Sequence, residues 1–262
     1  MSERFDLPYS AAHVGRRRCD LFAPEGGGNG AAVLFIHGGG FARGDKRQWH
    51  GVARHLCRAG YACASIEYRL APQWKVPASI EDCRLGMAWF RRRAGEMSFE
   101  AARVAAVGSS AGGYLALMLA TIGPGDDLGA SEELAGADTR PSAVVAYCPA
   151  YSMHAERDWP AESAYPNLMP APEADAPDLY RRASVEDRIT GDEPPVLILH
   201  GTADGLIGIE ESEQLVAQLR DAGDAAELIG IEGAPHGFAY GVDADDHKGT
   251  VAHATRDLND RL

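Results

Sequence analysis

The sequence lacks the features that would carry a chain across a membrane or bring it to a polyanion. No apolar run approaches the roughly eighteen residues that span a bilayer. Residues 1–8 contain no apolar core of the kind found in a signal peptide. The 38 acidic residues outnumber the 25 basic ones, and the formal net charge is −13. Nucleic acids and anionic membrane surfaces are therefore poor partners, and we expect a cytoplasmic protein.

Cysteine is also scarce, and its positions form no known pattern. The five cysteines are odd in number and dispersed, with no Cys-x-x-Cys and no histidine nearby at ligand spacing. This pattern favours reduced thiols over disulfides or zinc. No other feature of the sequence implies a metal or an organic cofactor. There is no internal repeat and no linker. The length of 262 residues therefore predicts one domain, residues 1–262.

Short apolar runs alternate with helical patterns from residue 31 onward, which predicts a mostly parallel sheet with helices on both faces. The predicted strands are 31–36, 61–66, 104–107, 143–147, 196–199 and 226–231, with an edge strand or hairpin within 13–24. The predicted helices are 45–58, one beginning at Pro77, one following residue 110, 209–222 and 245–262. Residues 151–190 depart from this rhythm and are predicted to form an irregular insert.

A strand, a sharp turn and a helix are predicted around Ser110. The apolar run 104–107 leads into the pattern Gly-x-Ser-x-Gly, in which Gly108 and Gly112 suit a close approach of strand and helix. In this context the pattern is typical of a nucleophile elbow, and the amide of Ala111 would point into the cleft. The pattern alone is common, however, and an ordinary loop is the alternative.

A serine nucleophile needs a base and a carboxylate that orients the base. His236 lies in a glycine-rich turn after the predicted strand 226–231. Asp204 follows the predicted strand 196–199, where a turn or capping role is the alternative. The chain order Ser110, Asp204, His236 is the order expected after a nucleophile elbow, and it favours a catalytic triad.

Three glycines follow His37 at the end of the first long buried strand. Successive glycines let the backbone turn its amides toward one point, so this loop and the Ala111 amide are predicted to form an oxyanion hole. A plain flexible loop is the alternative. His37 is expected to hold the loop by hydrogen bonding.

Five segments in this order give the chain a family resemblance. They are HGGGF at His37, YRLAP at Tyr68, GSSAGG at Gly108, HGTAD at His200 and PHGF at Pro235. The chain resembles the HGGG-type esterases of the α/β-hydrolase superfamily, that is, the hormone-sensitive-lipase-like branch and the small acetyl and feruloyl esterases. The resemblance implies an α/β-hydrolase fold. It also implies Ser110 as nucleophile, His236 as base and acid, and Asp204 as the orienting carboxylate, with Gly38, Gly39 and Ala111 as oxyanion donors.

Two departures from the family pattern matter. Many hormone-sensitive-lipase-like members carry an aspartate before the nucleophile, whereas this chain has Ser109. Only 36 residues precede His37, which favours the smaller esterases without a large N-terminal cap. The insert 151–190 is then expected to wall the substrate pocket. Candidate pocket residues, each with core packing as the alternative, are Phe41, Trp159, Tyr165 and Met169.

Together these features predict a serine carboxylesterase that hydrolyses small-molecule esters with short acyl chains through an acyl-enzyme. The same motifs occur in aryl formamidase-like amidases and in carbohydrate acetyl or feruloyl esterases, and the sequence does not separate these reactions. A noncatalytic binding protein on the same fold is a more remote alternative.

Overall fold

The buried apolar runs lie side by side in one sheet. The structure is a computed structural model that describes residues 1–123, 125–154, 165–240 and 245–262, and the side chains of 165, 166 and 245–250 are outside the described part. The strands are β1 (Ser2–Pro8), β2 (Arg18–Ala23), β3 (Gly30–Ile36), β4 (Ala62–Ile66), β5 (Phe99–Ser109), β6 (Val144–Tyr147), β7 (Val196–Gly201) and β8 (Ala226–Ile231). Their order across the sheet is β1-β2-β4-β3-β5-β6-β7-β8.

The sheet is parallel from β4 to β8 and antiparallel at the other edge. The pairs β1–β2 and β2–β4 are antiparallel, and the remaining described pairs are parallel. The strand predicted within 13–24 is β2, but β1 and not β2 forms the edge. The sequence did not predict β1, because an exposed edge strand need not be apolar and Ser2–Pro8 has little apolar content.

Helices cover both faces of the sheet, as predicted. They are α1 (His50–Arg58), α2 (Ala78–Arg91), α3 (Ala94–Met97), α4 (Ala111–Thr121), α5 (Tyr165–Leu168), α6 (Pro177–Ala183), α7 (Ile209–Ala222) and α8 (Asp245–Arg261). Ile80 of α2, Leu115 of α4 and Leu215 of α7 are buried in one apolar cluster. Val52 of α1 and Leu258 of α8 belong to the cluster on the opposite face. No helix in the described ranges is both long and apolar enough to cross a membrane.

The segment 151–190 is less irregular than predicted where the structure describes it. Helix α6 begins at Pro177. Proline suits the first turn of a helix, because the amide it lacks has no partner there. The several prolines of this segment led to the prediction of irregular structure, although one of them, Pro177, begins a helix.

Candidate active site

Ser110 lies on a strained turn between β5 and α4. Its φ of 55° and ψ of −120° are unusual for a residue with a side chain. A Cβ on Gly108 would lie 2.1 Å from the Gly112 carbonyl oxygen, and a Cβ on Gly112 would lie 2.2 Å from that of Ile36. The predicted close approach at these glycines is confirmed. The Ser110 amide donates to the Tyr147 carbonyl at 2.8 Å, which ties the turn to β6.

Three side chains from distant parts of the sequence meet at the carboxyl ends of the strands. His236 Nε2 is 2.9 Å from Ser110 Oγ, and His236 Nδ1 is 2.7 Å from Asp204 Oδ2. A carboxylate only accepts, so Nδ1 carries the proton toward Asp204 and Nε2 accepts from the Ser110 hydroxyl. This is the arrangement in which an imidazole can take a proton from serine as the serine attacks.

The side chain of Asp204 is fully buried and accepts hydrogen bonds from several donors. Its Oδ1 accepts from the amides of Leu206 at 2.9 Å and Ile207 at 3.0 Å. The imidazole of His200 lies 3.3 Å from Oδ2. Burial opposes the charge of Asp204, but the hydrogen bonds from His200, His236 and the two amides outweigh it and lower the pKa of the carboxyl well below its ordinary value. Asp204 is therefore ionised at neutral pH.

His200 supports Asp204 from behind. Its Nε2 donates to the Ile207 carbonyl at 2.9 Å, and its Nδ1 lies 2.7 Å from the Ser212 hydroxyl on α7. His200 is the first residue of the HGTAD segment, and no role was predicted for it from the sequence. A histidine four residues before the candidate carboxylate is the signal that could have found it.

The surroundings of His236 raise the pKa of its imidazole. Burial disfavours its charged form, but the hydrogen bonds to Asp204 and the neighbouring Cys148 thiol outweigh burial and raise the pKa of His236 above its ordinary value. Cys148 is fully buried at the end of β6 with a φ of 38°, and its Sγ is 3.9 Å from Ser109 Oγ. Nothing in the sequence marked Cys148 as a neighbour of the triad.

Metal-ligand side chains converge at one place in the described part of the chain, and that place is the triad itself. Ligand atoms of Cys148, Asp204 and His236 all lie within 4.8 Å of one another. The imidazole and the carboxylate are already hydrogen-bonded to each other at 2.7 Å. The Asp204 carboxylate is therefore engaged in orienting the His236 imidazole.

The glycine loop after β3 is held by hydrogen bonds. His37 Nδ1 donates to the Gly38 carbonyl at 2.8 Å, which confirms that His37 holds the loop. Burial lowers the pKa of His37 to about 4, so its imidazole is neutral. The Tyr68 hydroxyl donates to the His37 carbonyl at 2.9 Å, and the two rings stack with centroids 4.3 Å apart.

The amide of Gly38 does not have the environment that the sequence predicted. It donates to the Tyr240 hydroxyl at 2.8 Å and so is not open to an oxyanion. The amides of Gly39, Gly40 and Ala111 donate to no acceptor among the described residues. The assignment of Gly38 as an oxyanion donor is therefore corrected. A hydroxyl 202 positions away along the chain occupies its amide.

The structure describes the side chains of two of the four predicted pocket residues, Phe41 and Met169. Phe41 is 1% exposed and packs edge-to-face on Tyr114 with centroids 5.4 Å apart, and Met169 is 5% exposed. Both belong to the apolar cluster under the sheet. Trp159 and the side chain of Tyr165 lie outside the described residues.

Comparison with solved structures identifies the fold. A truncated carbohydrate esterase from gut microbiota aligns with a TM-score of 0.87 and 21% identity, covering 100% of this chain and 96% of that one. Thermogutta terrifontis esterase 2 phosphoramylated by tabun aligns with a TM-score of 0.82 and 22% identity, covering 98% and 94%. The fold is the α/β-hydrolase fold, as expected.

The family follows from the sequence match. The BD-FAE family model matches residues 19–219, and the chain belongs to that family. Esterase LipC of Mycobacterium tuberculosis is 30% identical over 213 residues, which are 79% of this chain and 52% of that protein. Ethyl acetate hydrolase of Pseudomonas putida is 30% identical over 222 residues, 80% of this chain and 66% of that protein. The chain thus spans about half to two thirds of the length of these relatives.

Proposed function

We propose that the protein is a serine carboxylesterase that hydrolyses small-molecule esters with short acyl chains. The observation that carries the proposal is the continuous hydrogen-bonded path from Ser110 through His236 to Asp204. The open amides of Gly39, Gly40 and Ala111 support it, because tetrahedral oxyanions are stabilised by such donors. We further propose that the 262 residues form one catalytic domain, with 151–190 walling the pocket.

The chemistry follows from the positions of the protons. Ser110 Oγ attacks the ester carbonyl while its proton passes to His236 Nε2, and the carbonyl oxygen becomes an oxyanion facing the open amides. The intermediate collapses, the C–O bond to the alcohol breaks, and the imidazolium returns the proton to the leaving alkoxide. Water then attacks the acyl-enzyme with His236 as base, which releases the acid and restores the serine. Asp204 stays ionised throughout and stabilises the imidazolium.

The relatives support an ester substrate of modest size. One of them is named ethyl acetate hydrolase, and others are named esterases. A solved relative carries a phosphorus group from tabun, the kind of adduct a serine hydrolase forms. We therefore propose acetyl and other short acyl esters as the substrate class.

An acetyl or feruloyl ester on a carbohydrate is the second candidate. It is favoured by the carbohydrate esterase whose structure covers the whole of this chain with a TM-score of 0.87. An activity panel separates the candidates. We expect p-nitrophenyl acetate to be cleaved faster than the octanoate, whereas a carbohydrate esterase would prefer acetylated xylan or methyl ferulate. N-formylkynurenine as the best substrate would instead establish an amidase.

Active-site labelling tests the serine hydrolase proposal itself. A fluorophosphonate should phosphonylate Ser110 Oγ with loss of fluoride, and peptide mass spectrometry should locate the adduct on Ser110. Ser110→Ala should abolish both labelling and ester hydrolysis. Ser131→Ala makes the same change in the loop after α4 and should preserve both. An unlabelled wild-type protein without esterase activity would refute the proposed function.

A further inference from the structure

One hydroxyl joins the loop that carries the base to the loop that carries the oxyanion donors. Tyr240 lies four residues after His236, in a short 3₁₀ turn, and its hydroxyl accepts the Gly38 amide at 2.8 Å. Burial raises the pKa of Tyr240 although the hydrogen bond from the Gly38 amide opposes this shift, so the phenol is neutral at physiological pH.

The phenol meets the glycine loop where that loop touches the nucleophile. A Cβ placed on Gly38 would be 2.8 Å from the Tyr240 hydroxyl, 2.7 Å from the Ser109 carbonyl oxygen and 3.4 Å from Ser110 Cβ. Base loop, glycine loop and nucleophile elbow therefore converge within contact distance at Gly38. A change in the position of the phenol would be transmitted to Gly38 and from there to the residues on either side.

The ring of Tyr240 is supported by a rigid wall. It packs edge-to-face on Trp49 with centroids 4.8 Å apart, and Trp49 is fully buried. The Trp49 indole donates to the carbonyl of Ile36, the last residue of β3, at 3.0 Å. Tyr240 is thus fastened to the strand from which the glycine loop emerges. This contact fixes the phenol before substrate arrives.

Two tyrosines hold opposite sides of a single peptide plane. Tyr68 donates to the carbonyl of His37, and Tyr240 accepts from the amide of Gly38. These groups belong to one planar peptide unit, so its orientation is fixed at both ends. The next peptide is fixed by His37 Nδ1 on the Gly38 carbonyl. Because C=O and N–H point in opposite directions across a peptide, this also sets the direction of the Gly39 amide.

We propose that Tyr240 is a positioning residue that presents the Gly39 amide to the oxyanion and links the glycine loop to the His236 turn. This proposal rests on the proposed esterase function. It assigns Tyr240 no contact with substrate and no proton transfer. Its effect should therefore fall on transition-state stabilisation and not on substrate binding.

Tyr240→Phe tests the proposal, since it removes the acceptor and keeps the ring on Trp49. Losing one oxyanion donor costs roughly 100- to 1,000-fold in kcat, so a misdirected donor should cost about 10- to 100-fold. We expect that fall in kcat for p-nitrophenyl acetate, with KM within about twofold of wild type. The rate of fluorophosphonate labelling should fall in parallel, because its transition state also carries an oxyanion.

Further measurements separate positioning from general destabilisation. The acidic limb of the kcat/KM profile should not move in Tyr240→Phe, because the described hydrogen bonds of the His236 ring go to Asp204 and Ser110 and not to the phenol. Tyr68→Phe acts on the same peptide plane. The loss of kcat in the double variant, expressed as a free energy, should therefore be smaller than the sum of the losses in Tyr68→Phe and Tyr240→Phe. Tyr61→Phe is the matched control. It removes a hydroxyl bonded to Asn259 at 2.6 Å and should leave kcat unchanged.

The possible failures are distinguishable. If wild type neither hydrolyses esters nor takes the label, the proposed function fails. If wild type is active and Tyr240→Phe keeps kcat within about twofold, only the positioning role of Tyr240 is overturned. A rise in KM at constant kcat would overturn it as well, because it would assign Tyr240 to substrate binding. If Tyr240→Phe does not fold, Tyr68→Phe tests the same peptide from its other side, and a kcat within about twofold of wild type in Tyr68→Phe would overturn the proposal.

Discussion

The loops that carry the triad and the segment that follows β6 are held by different kinds of contact. Asp204 has a fully buried side chain and accepts from two backbone amides, while His200 supports it from behind. His154, by contrast, is 25% exposed and bridges Glu173 at 2.5 Å and Asp187 at 2.7 Å. The chemical groups are thus fixed by buried, largely backbone contacts, whereas part of the expected pocket wall is fixed by titratable side chains near solvent.

The two kinds of contact suit the two roles expected at this edge of the sheet, which are to hold the triad and to form the wall of the pocket. A triad needs its atoms held to within fractions of an ångström, and buried hydrogen bonds to rigid elements provide this. A pocket wall needs to admit substrates, and partly exposed ion pairs contribute little stability and respond to pH and salt. The comparison can be tested by disrupting each region in turn, beginning with the most buried contacts.

Asp204→Asn should have the largest effect. An amide cannot stabilise the imidazolium and favours the wrong tautomer, so kcat should fall by about 10⁴. The hydrogen bond to Asp204 raises the pKa of His236, and loss of the negative charge should lower that pKa. Because activity needs the neutral imidazole, the acidic limb of kcat/KM should move to lower pH.

Steady-state kinetics of Asp204→Asn across pH 5–10 measures both effects. Asp187→Asn makes the same change in the His154 contact and should keep kcat within a few-fold of wild type. An unchanged acidic limb in Asp204→Asn would contradict the assignment of that limb to His236.

Asp82→Ala should have the next largest effect, on stability. Asp82 on α2 is fully buried and accepts from Arg17 at 2.7 Å and from the Arg69 backbone amide at 2.7 Å. Its loss removes one of the two carboxylates that the buried Arg17 and Arg69 guanidinium groups share, while Glu81 stays paired with Arg17 at 2.8 Å and with Arg69 at 2.6 Å. The Arg69 backbone amide also loses its acceptor, and we expect the unfolding free energy to fall by about 3 kcal/mol. Urea denaturation measures this loss.

Activity should fall along with stability in Asp82→Ala, because Arg69 directly follows Tyr68 and the same loop holds the His37 carbonyl. Asp178→Ala is the control, since Asp178 is an exposed carboxylate on α6 whose loss should scarcely change the unfolding free energy. Equal losses in the two variants would show that the Asp82 contacts are no stronger than a surface pair.

His154→Gln should have the smallest effect, and the effect should depend on pH. Burial lowers the pKa of His154, but the hydrogen bonds to Glu173 and Asp187 outweigh it and raise the pKa above its ordinary value. The stabilisation is therefore fully present below the ordinary histidine pKa of about 6.5 and is lost as pH rises through the raised value. The Tm difference between wild type and His154→Gln should be larger at pH 6 than at pH 9.

Differential scanning calorimetry at the two pH values checks this. Asp187→Asn should diminish the same pH-dependent part, because it removes one of the two carboxylates on the ring. A Tm difference of equal size at pH 6 and pH 9 would be inconsistent with a charged His154 in the folded state.

Residues whose roles depend on local sequence were predictable. The elbow around Ser110 needs small residues at 108 and 112 for a reason that any strand–turn–helix would share. His236 and Asp204 were found because each follows a strand in a parallel sheet, whose carboxyl ends share one rim. The helix 209–222 has the bounds that its apolar spacing predicted.

Residues whose roles depend on a distant partner were not predictable. Gly38 looked like an oxyanion donor because no local feature revealed that Tyr240 occupies its amide. Asp82 lies on an unremarkable helix face, and its importance comes from Arg17, 65 positions earlier. Strand β1 has no apolar pattern. It is held at the edge of the sheet by backbone hydrogen bonds to β2, which do not require apolar side chains.

The sequence by itself determined the six parallel strands β3 to β8 and the three side chains at their carboxyl ends, because strand and helix periodicity and the order of motifs are local features of the chain. Only the tertiary structure decided which glycine amide is occupied, which thiol borders His236 and which tyrosines hold the glycine loop. These are contacts between segments up to two hundred residues apart. Such contacts depend on exact packing distances, which no local pattern of residues encodes.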